Sequence, residues 1–594
     1  MSARIAAEQI ERDPGWLALL HYHHPLDSAG WKSHADASSF FLASAGNTDP
    51  RAELLADLQA LFFNAADTSA RCRFPARYEW LRERLALPAD GTALEACAAL
   101  QDWYQPLAAN RVSIDFASSY LENPSSLFGH TFLRFGTPGA PLLLTPTINY
   151  AADSSRENGK LAFIIKGLLG GFPGVADQLP YFRRLRSYSD NEGRAIWEYP
   201  LALDAAQIRR LLLHLWEIKD SVFDYYFVDE NCSYRTLALI AVARPDLDLL
   251  RAYNAEVVPV ETIRTLRASG LINATVYRPS APRELSWHTR GFSTAMLRAV
   301  TAIARGQQQP DDLSRWRPEQ RTQILSAAAE YFAILVNRDQ IPITTREQVM
   351  PALLHERLQH ETPPAAAPPP TPPAPDTGHS GRAASVGFSD RQGRLGAEVG
   401  YDGFRHTLID RLAGYDPGAE ITVLGTRLRW EEGNSGTLER LDLLRVQSQA
   451  PSSILFQQSA WSLHFGAERK YVNAERPLLG SFGYASGRAV NVGVGVLGLT
   501  LGANLDAGPA LRGDTGFEGA VRVELTRQRY GLSAQAFVEY AKYLLGESSA
   551  RHRYGLRFGL PLTRQLAITV DLERAGAKQD ENQVVIELRH AFGP

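Results

Sequence analysis

The segment FDYYFVDENCSYRTLALI, residues 223–240, places a cysteine where a helical pattern begins. Cys232 follows Asp229 and Asn231, which are residue types that cap helices through their side-chain oxygens. A thiol in the first helical turn lies at the positive end of the macrodipole, which favours the reactive thiolate. The N–H groups of the same turn could also stabilise an oxyanion beside the sulfur. The segment therefore predicts a reactive cysteine, and an inert buried thiol is the alternative.

A histidine and an asparagine earlier in the chain are the partners that a thiol nucleophile needs. His130 begins the predicted strand HTFLRFG after a glycine-containing turn, where its imidazole can face the helix start and accept the thiol proton. Asn149 ends the following predicted strand and can orient the imidazole. We expect catalytic roles for Cys232, His130 and Asn149. The alternatives are a strand-end histidine that bonds the backbone and an asparagine that serves the turn.

Polar residues near these three are candidates for a substrate pocket, although each also has a simpler structural explanation. The candidates are Asn123, Ser125, Ser126, Tyr150, Asp229, Glu230, Asn231, Ser233 and Tyr234. Asp229 and Glu230 are explained as a helix cap and a solvated acid, or either could bind His130. The residues before His130 favour a turn as much as a pocket. The motif HYHH at 21–24 has no cysteine or acidic residue following at metal-ligand spacing, so we predict no metal and no cofactor.

The patterns around these residues divide the chain into five regions. Apolar residues at three-to-four spacing predict helices, as in DPRAELLADLQALFF, whereas RVSIDFAS and RAIWEYPLAL are rich in the β-branched and aromatic residues of strands. ETPPAAAPPPTPPAPDTGHSG is too rich in proline for a packed core and predicts an extended linker. The predicted regions are a helical domain at 1–110, an α+β catalytic domain at 111–280, a helical extension at 281–360, a linker at 361–382 and a β-barrel at 383–594.

The predicted barrel is recognised by segments of about ten residues that alternate apolar and polar side chains. In VRVELTRQ, Val521 and Val523 point to one face while Arg522 and Glu524 point to the other. AVNVGVGVLGLTLGANL is interpreted as one such segment. The length of the region predicts about 12 strands in an up-and-down barrel. Charged residues on one face do not decide between an outer-membrane barrel and a soluble barrel or sandwich, but the final strand ending in Phe592 favours the former.

The composition excludes some classes of protein and gives information about the cellular compartment of the chain. The 594 residues carry a net charge of −3 with scattered basic residues, which argues against nucleic-acid binding. The first twenty residues lack the apolar core of a signal peptide, so the chain is expected to be either cytosolic or a mature form. Of the three cysteines, Cys72 and Cys97 lie close in sequence. In an oxidising compartment they are the economical disulfide, which leaves Cys232 free.

A longer stretch resembles a known bacterial family, the Lnb N-terminal periplasmic domain. The resemblance spans about residues 111–275 and is carried by SSLFGHTFLRF, INYAAD, GGFPG, YSDNEGRAIWEYPL and LLLHLWEIKDSVFDYYFVDENCSYRTLALIAVARPDLDL. That family is similar to circularly permuted papain-like thiol enzymes of the lecithin:retinol acyltransferase-like and NlpC types, in which histidine precedes cysteine. The resemblance implies a lipoprotein N-acyltransferase that uses a phospholipid donor. By motif, it assigns the nucleophile to Cys232 and the base to His130.

The sequence therefore predicts an outer-membrane-anchored, periplasm-facing thiol acyltransferase. Its expected partners are phospholipid, the outer membrane, and either a lipoprotein N-terminus or a cell-wall peptide. A cysteine amidase or peptidase that acts on cell-wall peptide would use the same dyad. The non-enzymatic alternative is a pore or export barrel with a periplasmic binding domain.

Overall fold

The structure is a computed structural model that describes residues 9–25, 29–63, 69–88, 94–119, 128–137, 139–153, 166–167, 171–227, 229–253, 256–359, 367–431, 433, 435–473, 475–529 and 531–593. The chain divides into two compact units, one up to Ser280 and a second from Ala281 to Gly593. Asn123, Ser125 and Ser126 lie outside the described residues. Within the described residues, no helix is both long and apolar enough to cross a membrane.

Helices of the N-terminal unit begin at acidic caps and prolines, as the sequence predicts. Asp49 accepts hydrogen bonds from the N–H groups of Arg51 and Ala52, and Pro50 occupies the first helical position. Asp204 caps its helix in a reciprocal capping box with Gln207. The helices are α1 Pro14–Leu19, α2 Pro50–Leu58, α3 Ser69–Arg73, α4 Pro75–Arg84, α5 Ala98–Tyr104, α6 Tyr181–Arg184, α7 Ala205–Ile218, α8 Cys232–Ala243 and α9 Pro259–Ala268.

A seven-stranded antiparallel sheet forms the centre of this unit. Its strands are β3 Arg111–Ala117, β4 His130–Gly136, β5 Pro146–Ala152, β6 Phe172–Pro180, β7 Ile196–Pro200, β8 Phe223–Tyr225 and β9 Val276–Arg278; β1 Tyr22–His23 and β2 Lys32–Ser33 pair separately. The spatial order is β8-β6-β5-β4-β3-β7-β9. The register of β4 and β5 sets Phe132 opposite Asn149. Since side chains alternate along a strand, His130, Phe132 and Asn149 share one face.

The helices of residues 10–104 share a hydrophobic core with α7 and α8. Trp16, Leu54 and Leu81 are fully or almost fully buried in it, together with Leu213 of α7 and Val242 of α8. Cys72 and Cys97, the pair expected from the sequence, form a disulfide with Cα atoms 5.4 Å apart. The N-terminal helices and the sheet therefore form one unit.

The second unit begins with helices and continues as a long antiparallel sheet. Its helices are α10 Ala281–His288, α11 Thr294–Ala304, α12 Pro318–Asn337 and α13 Ile343–Gln359. Its strands are β10 Arg382–Arg391, β11 Arg394–Asp402, β12 Phe404–His406, β13 Ala419–Glu431, β14 Thr437–Ser448, β15 Ala460–Arg469, β16 Leu478–Asn491, β17 Val496–Ala507, β18 Thr515–Arg527, β19 Ser533–Leu545, β20 Ala550–Pro561, β21 Leu566–Gly576 and β22 Asp580–Phe592. Strand β10 pairs with β22, and β11 pairs with β13, so twelve long strands close into a barrel while β12 adds a short edge. This confirms the predicted strand number.

The barrel is apolar outside and charged inside. Leu501, Val538 and Ile586 point outward and are 65 %, 57 % and 51 % exposed. Inside, Lys470 Nζ lies 2.8 Å from Asp506 Oδ1, and Arg551 Nε lies 2.8 Å from Glu518 Oε1. A soluble barrel buries its apolar face, whereas a barrel in lipid exposes it and keeps a polar lumen. The side chains therefore decide the question that the sequence left open, in favour of a membrane barrel.

Two details differ from the sequence-based expectations. The stretch AVNVGVGVLGLTLGANL is two strands and not one, because β16 turns into β17 at residues 492–495 and Gly493 adopts a left-handed φ of 82°. The end of the predicted linker is also not free. His379 and Ser380 are buried, and the Ser380 N–H donates to Gln565 Oε1 at 2.9 Å. These hydrogen bonds give the segment a fixed place against the barrel that its proline content does not reveal.

Candidate active site

Helix α8 places Cys232 at its first residue. Asn231 is the N-cap, and its Oδ1 accepts hydrogen bonds from the N–H groups of Ser233 and Tyr234. Its Nδ2 donates to the Val257 carbonyl at 2.6 Å, which holds the cap in place. Cys232 is buried and is the free cysteine of the chain. The cap fixes the sulfur at the positive end of the helix, as the sequence predicts.

Strands β4 and β5 bring the predicted histidine and asparagine together. His130 Nε2 is hydrogen-bonded to Asn149 Oδ1. Because a carbonyl oxygen only accepts, Nε2 carries the proton, and Nδ1 remains for the thiol of Cys232. His130 is 8 % exposed and Asn149 is 4 % exposed, so both side chains are held inside the unit. The geometry gives the asparagine an orienting position and the imidazole a basic nitrogen toward the sulfur.

Gly129 determines how the chain enters β4. It has a left-handed φ of 92°, and a Cβ there would lie 2.4 Å from the ring of Phe116. A larger residue would be strained by its backbone and would also press on the neighbouring strand. The glycine before His130 is therefore required for the imidazole to reach its position.

The surroundings of Cys232 make its thiol acidic. Burial alone raises the pKa, but the charge and hydrogen bond of His130 outweigh it, assisted by hydrogen bonds from the Thr131 backbone and the Ser233 hydroxyl. Together they lower the pKa of Cys232 from 9.0 to about 6. At neutral pH the site therefore favours the thiolate of Cys232.

Aromatic residues enclose the sulfur. Cys232 lies in an apolar cluster with Phe172 and Tyr225, against which Tyr150 and Phe227 pack. The Cys232 N–H donates to Tyr225 Oη at 3.3 Å. Burial raises the pKa of Tyr225 well above 10, so its hydroxyl keeps its proton and can itself donate. The wall beside the nucleophile is thus apolar, with one polar hydroxyl directed at the helix start.

The sequence-based reasoning missed Tyr225 and two further residues of this site. Tyr188 lies in a π-helical turn, with its ring 5.6 Å from that of His130 and stacked on Phe132. Thr131 bonds the Ser233 hydroxyl through Oγ1 at 2.9 Å. Thr131 is adjacent to His130, and Tyr225 lies seven residues before Cys232, but neither spacing reveals these contacts. Their roles depend on contacts between distant segments.

The expectation about helix N–H groups needs a correction. The N–H groups of Ser233 and Tyr234 are occupied by Asn231, so they do not face a substrate. The Cys232 N–H is occupied as well, since it donates to Tyr225 Oη at 3.3 Å, and a donor beside the sulfur is instead the Tyr225 hydroxyl. A strong side-chain cap satisfies the same amides that an oxyanion would need, which is why the expectation was wrong.

The remaining pocket candidates serve different purposes. Glu230 is not a free solvated acid, because it forms an ion pair with Arg235 and its Oε1 lies 3.5 Å from His34 Nε2. Burial raises the pKa of Glu230 to about 7. Tyr234 is buried, and its Oη lies 3.4 Å from His34 Nδ1. Among the described contacts, neither Asp229 nor Glu230 binds His130. Glu230 and Tyr234 therefore stabilise the start of α8 through their contacts with Arg235 and His34.

Tyr150 lies closer to the nucleophile. Its ring stacks on that of Tyr225 with the centroids 5.9 Å apart, and its hydroxyl donates to the Phe223 carbonyl at 3.0 Å. Gly174 leaves room for this ring, since a Cβ there would lie 1.8 Å from the Tyr150 hydroxyl. Tyr150 thus remains a candidate for the pocket wall.

Comparison with known families agrees with the residues of the site. Residues 99–269 match the model described as the Lnb N-terminal periplasmic domain. This region is therefore similar to that family of periplasmic domains. The match confirms the resemblance predicted from the sequence and contains Cys232, His130 and Asn149. Three models, each described as a domain of unknown function, match the regions that flank the Lnb domain: DUF7843 at 8–84, DUF7842 at 275–369 and DUF7840 at 372–590.

Solved structures similar to the chain are bacterial barrels, each of which matches about a third of it. The KdgM porin in complex with disordered oligogalacturonate is 7 % identical, covers 35 % of this chain and 99 % of its own, and has a TM-score of 0.21. The translocator domain of the autotransporter NalP from Neisseria meningitidis is 14 % identical and covers 36 % and 89 %, with a TM-score of 0.22. LpxR from Salmonella typhimurium is 10 % identical and covers 35 % and 100 %, with a TM-score of 0.22. No curated protein sequence matches the chain.

The location of the protein follows from its two units. The barrel exposes its apolar face and encloses charges, which is the arrangement of an outer-membrane barrel. The other unit contains the region that matches the Lnb N-terminal periplasmic domain. The protein is therefore an outer-membrane protein with a periplasmic domain.

Proposed function

We propose that the protein is a thiol acyltransferase of the outer membrane, with a permuted papain-like site formed by Cys232, His130 and Asn149. The observation that supports this most is the combination of an acidified thiol at a helix start with an imidazole oriented by an amide. These are the parts of a nucleophile, its base and an orienting group. The order of histidine before cysteine in the chain agrees with the permuted type.

In the proposed reaction His130 Nδ1 accepts the proton of the Cys232 thiol. The thiolate attacks the acyl carbonyl of a phospholipid ester, so that a C–S bond forms and the ester C–O bond breaks. His130 returns the proton to the leaving lysophospholipid oxygen, which leaves a thioester on Cys232. An amine then attacks the thioester, an amide forms, and the amine proton passes through His130 to restore the thiol.

The oxyanion of each tetrahedral intermediate needs donors. We assign one of them to the Tyr225 hydroxyl, whose oxygen accepts from the Cys232 N–H at 3.3 Å beside the sulfur. The high pKa of Tyr225 keeps the hydroxyl protonated, so it can donate toward the developing charge. Removal of one such donor typically costs about 10²–10³ in kcat.

A lipid donor is favoured over a peptide by the walls of the site. Phe172, Tyr225 and Phe227 surround the sulfur with aromatic surface, which suits an acyl chain better than a polar peptide backbone. Attachment to a barrel in the outer membrane also raises the effective concentration of phospholipid for the domain. Both points support acyl transfer over cell-wall amidase activity.

The test is intact mass spectrometry of the purified full-length protein after incubation with phosphatidylethanolamine vesicles. We expect a fatty-acyl adduct that maps to Cys232, is absent from Cys232→Ala and is strongly reduced in His130→Ala. Addition of an N-terminal cysteine peptide should discharge the adduct and yield an acylated amine. A parallel incubation with muropeptides tests the amidase alternative.

The control variant is His34→Gln, which changes a histidine behind α8 and leaves the three proposed residues in place. It should form the adduct at the wild-type rate. If Cys232 stays unmodified by phospholipid while muropeptides are cleaved in a Cys232-dependent way, acyl transfer is refuted. If neither substrate reacts, the catalytic assignment itself fails.

A further inference from the structure

Three buried side chains with metal-ligand chemistry meet where the chain enters the barrel. His379 precedes β10, His406 ends β12, and Asp410 lies in the loop before β13; they are 3 %, 1 % and 2 % exposed. One ligand atom from each lies within 4.8 Å of those from the other two. Imidazole nitrogens and a carboxylate oxygen are the ligands that Zn²⁺ prefers in proteins.

The two imidazoles are close to the geometry of shared ligation. His379 Nε2 lies 3.0 Å from His406 Nδ1. Two nitrogens at about 2.0–2.1 Å from a tetrahedral Zn²⁺ are roughly 3.3 Å apart, so a shift of about 0.3 Å would admit the ion. The adjustment is small because both rings are already stacked beside Tyr415.

The hydrogen bonds and ion pair around His379 and Asp410 also match those around metal ligands in known sites. His379 Nδ1 donates to the Ser380 carbonyl at 2.7 Å, which leaves Nε2 as the nitrogen with a lone pair. Asp410 Oδ2 accepts from the Thr407 N–H at 2.7 Å, and Asp410 Oδ1 pairs with Arg589. Ligating histidines usually donate their second N–H to a carbonyl, and ligating carboxylates are themselves hydrogen-bonded.

Hydrogen bonds alone leave the cluster incomplete. Among the described residues, His406 Nε2 has no hydrogen-bond partner although the ring is buried. With Nδ1 as the metal ligand, Nε2 carries the ring proton, and this buried N–H still calls for an acceptor such as water.

We propose that His379, His406 and Asp410 bind a divalent transition ion, with Zn²⁺ as the expected metal and water as a fourth ligand. Arg589 remains on the outer side of the Asp410 carboxylate, whose oxygens have lone pairs for both partners. The ion joins the segment that precedes β10 to the loop that precedes β13. It therefore fixes the entry of the chain into the barrel and serves a structural purpose that is independent of the thiol site.

The experiment is a Zn²⁺ titration of full-length protein in detergent after chelator treatment and desalting. The bound metal is quantified by elemental mass spectrometry. Thermal unfolding is followed with and without the ion. We expect about one equivalent to bind and to raise the unfolding midpoint. His406→Gln and Asp410→Asn should each weaken binding at least about 100-fold, since they remove ligands and not only supporting contacts.

The matched control is again His34→Gln. His34 stacks on His23 with the centroids 3.7 Å apart in the N-terminal unit, so this pair is the competing zinc binder. The control should still bind about one equivalent of Zn²⁺. Heat-dependent mobility on a gel verifies that each variant has a folded barrel. Absence of Zn²⁺ binding by the wild type, unchanged affinity in folded His406→Gln, or loss of the ion in His34→Gln would each overturn the proposal.

Discussion

The acid–base behaviour of Cys232 gives the sharpest prediction, because the structure assigns it to one neighbour. In the wild type the thiol has a pKa of about 6, with His130 as the main favourable influence against burial. His130→Ala removes that influence and leaves the burial, so the pKa should rise to 9.0 or above. The midpoint of thiolate formation should therefore move by about three pH units.

The size of the rate effect depends on pH and on the intrinsic reactivity of the thiolate. At pH 5.5, a pKa of about 6 gives about 24 % thiolate and a pKa of 9.0 gives about 0.03 %, a ratio of roughly 760. A thiolate of lower pKa is also a weaker nucleophile, and with a Brønsted slope of about 0.4–0.5 three units cost about 15–30-fold. Alkylation of the wild type at pH 5.5 should thus be about 25–50 times faster than that of His130→Ala.

Iodoacetamide labelling between pH 4.5 and 9.5, read by peptide mass, measures this directly. Cys72 and Cys97 are joined in a disulfide, so Cys232 is the thiol that reacts. Restricted access to the buried sulfur lowers every rate by a similar factor and leaves the midpoint unchanged. His34→Gln serves as the control and should keep the wild-type midpoint. A wild-type midpoint near 9, or the same midpoint in His130→Ala, would refute the assignment of His130 as the base.

Three further predictions test the other parts of the structure. Asn149→Ala removes a hydrogen bond to a charged imidazole worth about 1.5–3 kcal/mol, so the rate of acyl-adduct formation should fall about 10–150-fold while urea unfolding changes little. Leu501→Arg puts a charge on the lipid face near the middle of β17 and should destabilise the barrel by about 2–4 kcal/mol in equilibrium unfolding, whereas Leu562→Arg, in the turn after β20, should cost at most about 1 kcal/mol. Arg77→Leu leaves Glu53 and Asp57 as buried acids without their cation and should destabilise the N-terminal unit by about 3–5 kcal/mol in thermal or urea unfolding; equal stability would show that these acids are protonated.

The parts of the site that follow local rules could be predicted from the sequence. Asn231 caps α8 because its side chain reaches the amides two and three residues ahead, and this reach is a property of the local chain. His130 and Asn149 meet because β4 and β5 are neighbours whose register sets Asn149 opposite Phe132, although Asn149 lies in the middle of β5 and not at the strand end that the sequence predicted. The barrel was predicted for the same reason, since alternation along each strand is visible in the sequence.

The parts that depend on contacts between distant segments could not be predicted. Tyr225 gains its position beside Cys232 from the pairing of β8 with β6, which no spacing in the sequence reveals. In the sequence, His379 belongs to the end of a proline-rich linker. Its contact with His406 exists only in the folded barrel. The sequence also left open which face of the barrel meets lipid. An alternating strand has one apolar face and one charged face in a soluble barrel and in a membrane barrel alike.

The interior of the barrel bears on whether it serves as an anchor or as a passage. Strands on opposite sides of the lumen are joined by side chains: the Tyr471 hydroxyl after β15 donates to Glu581 of β22 at 2.8 Å, and Gln447 of β14 bonds Glu524 of β18. Arginines and acids line two neighbouring lumen cavities of about 180 Å³ each. Opening a path for solutes would separate buried charges from their partners at a cost of several kcal/mol for each pair. These contacts favour a barrel that holds the thiol domain at the membrane over one that conducts solutes.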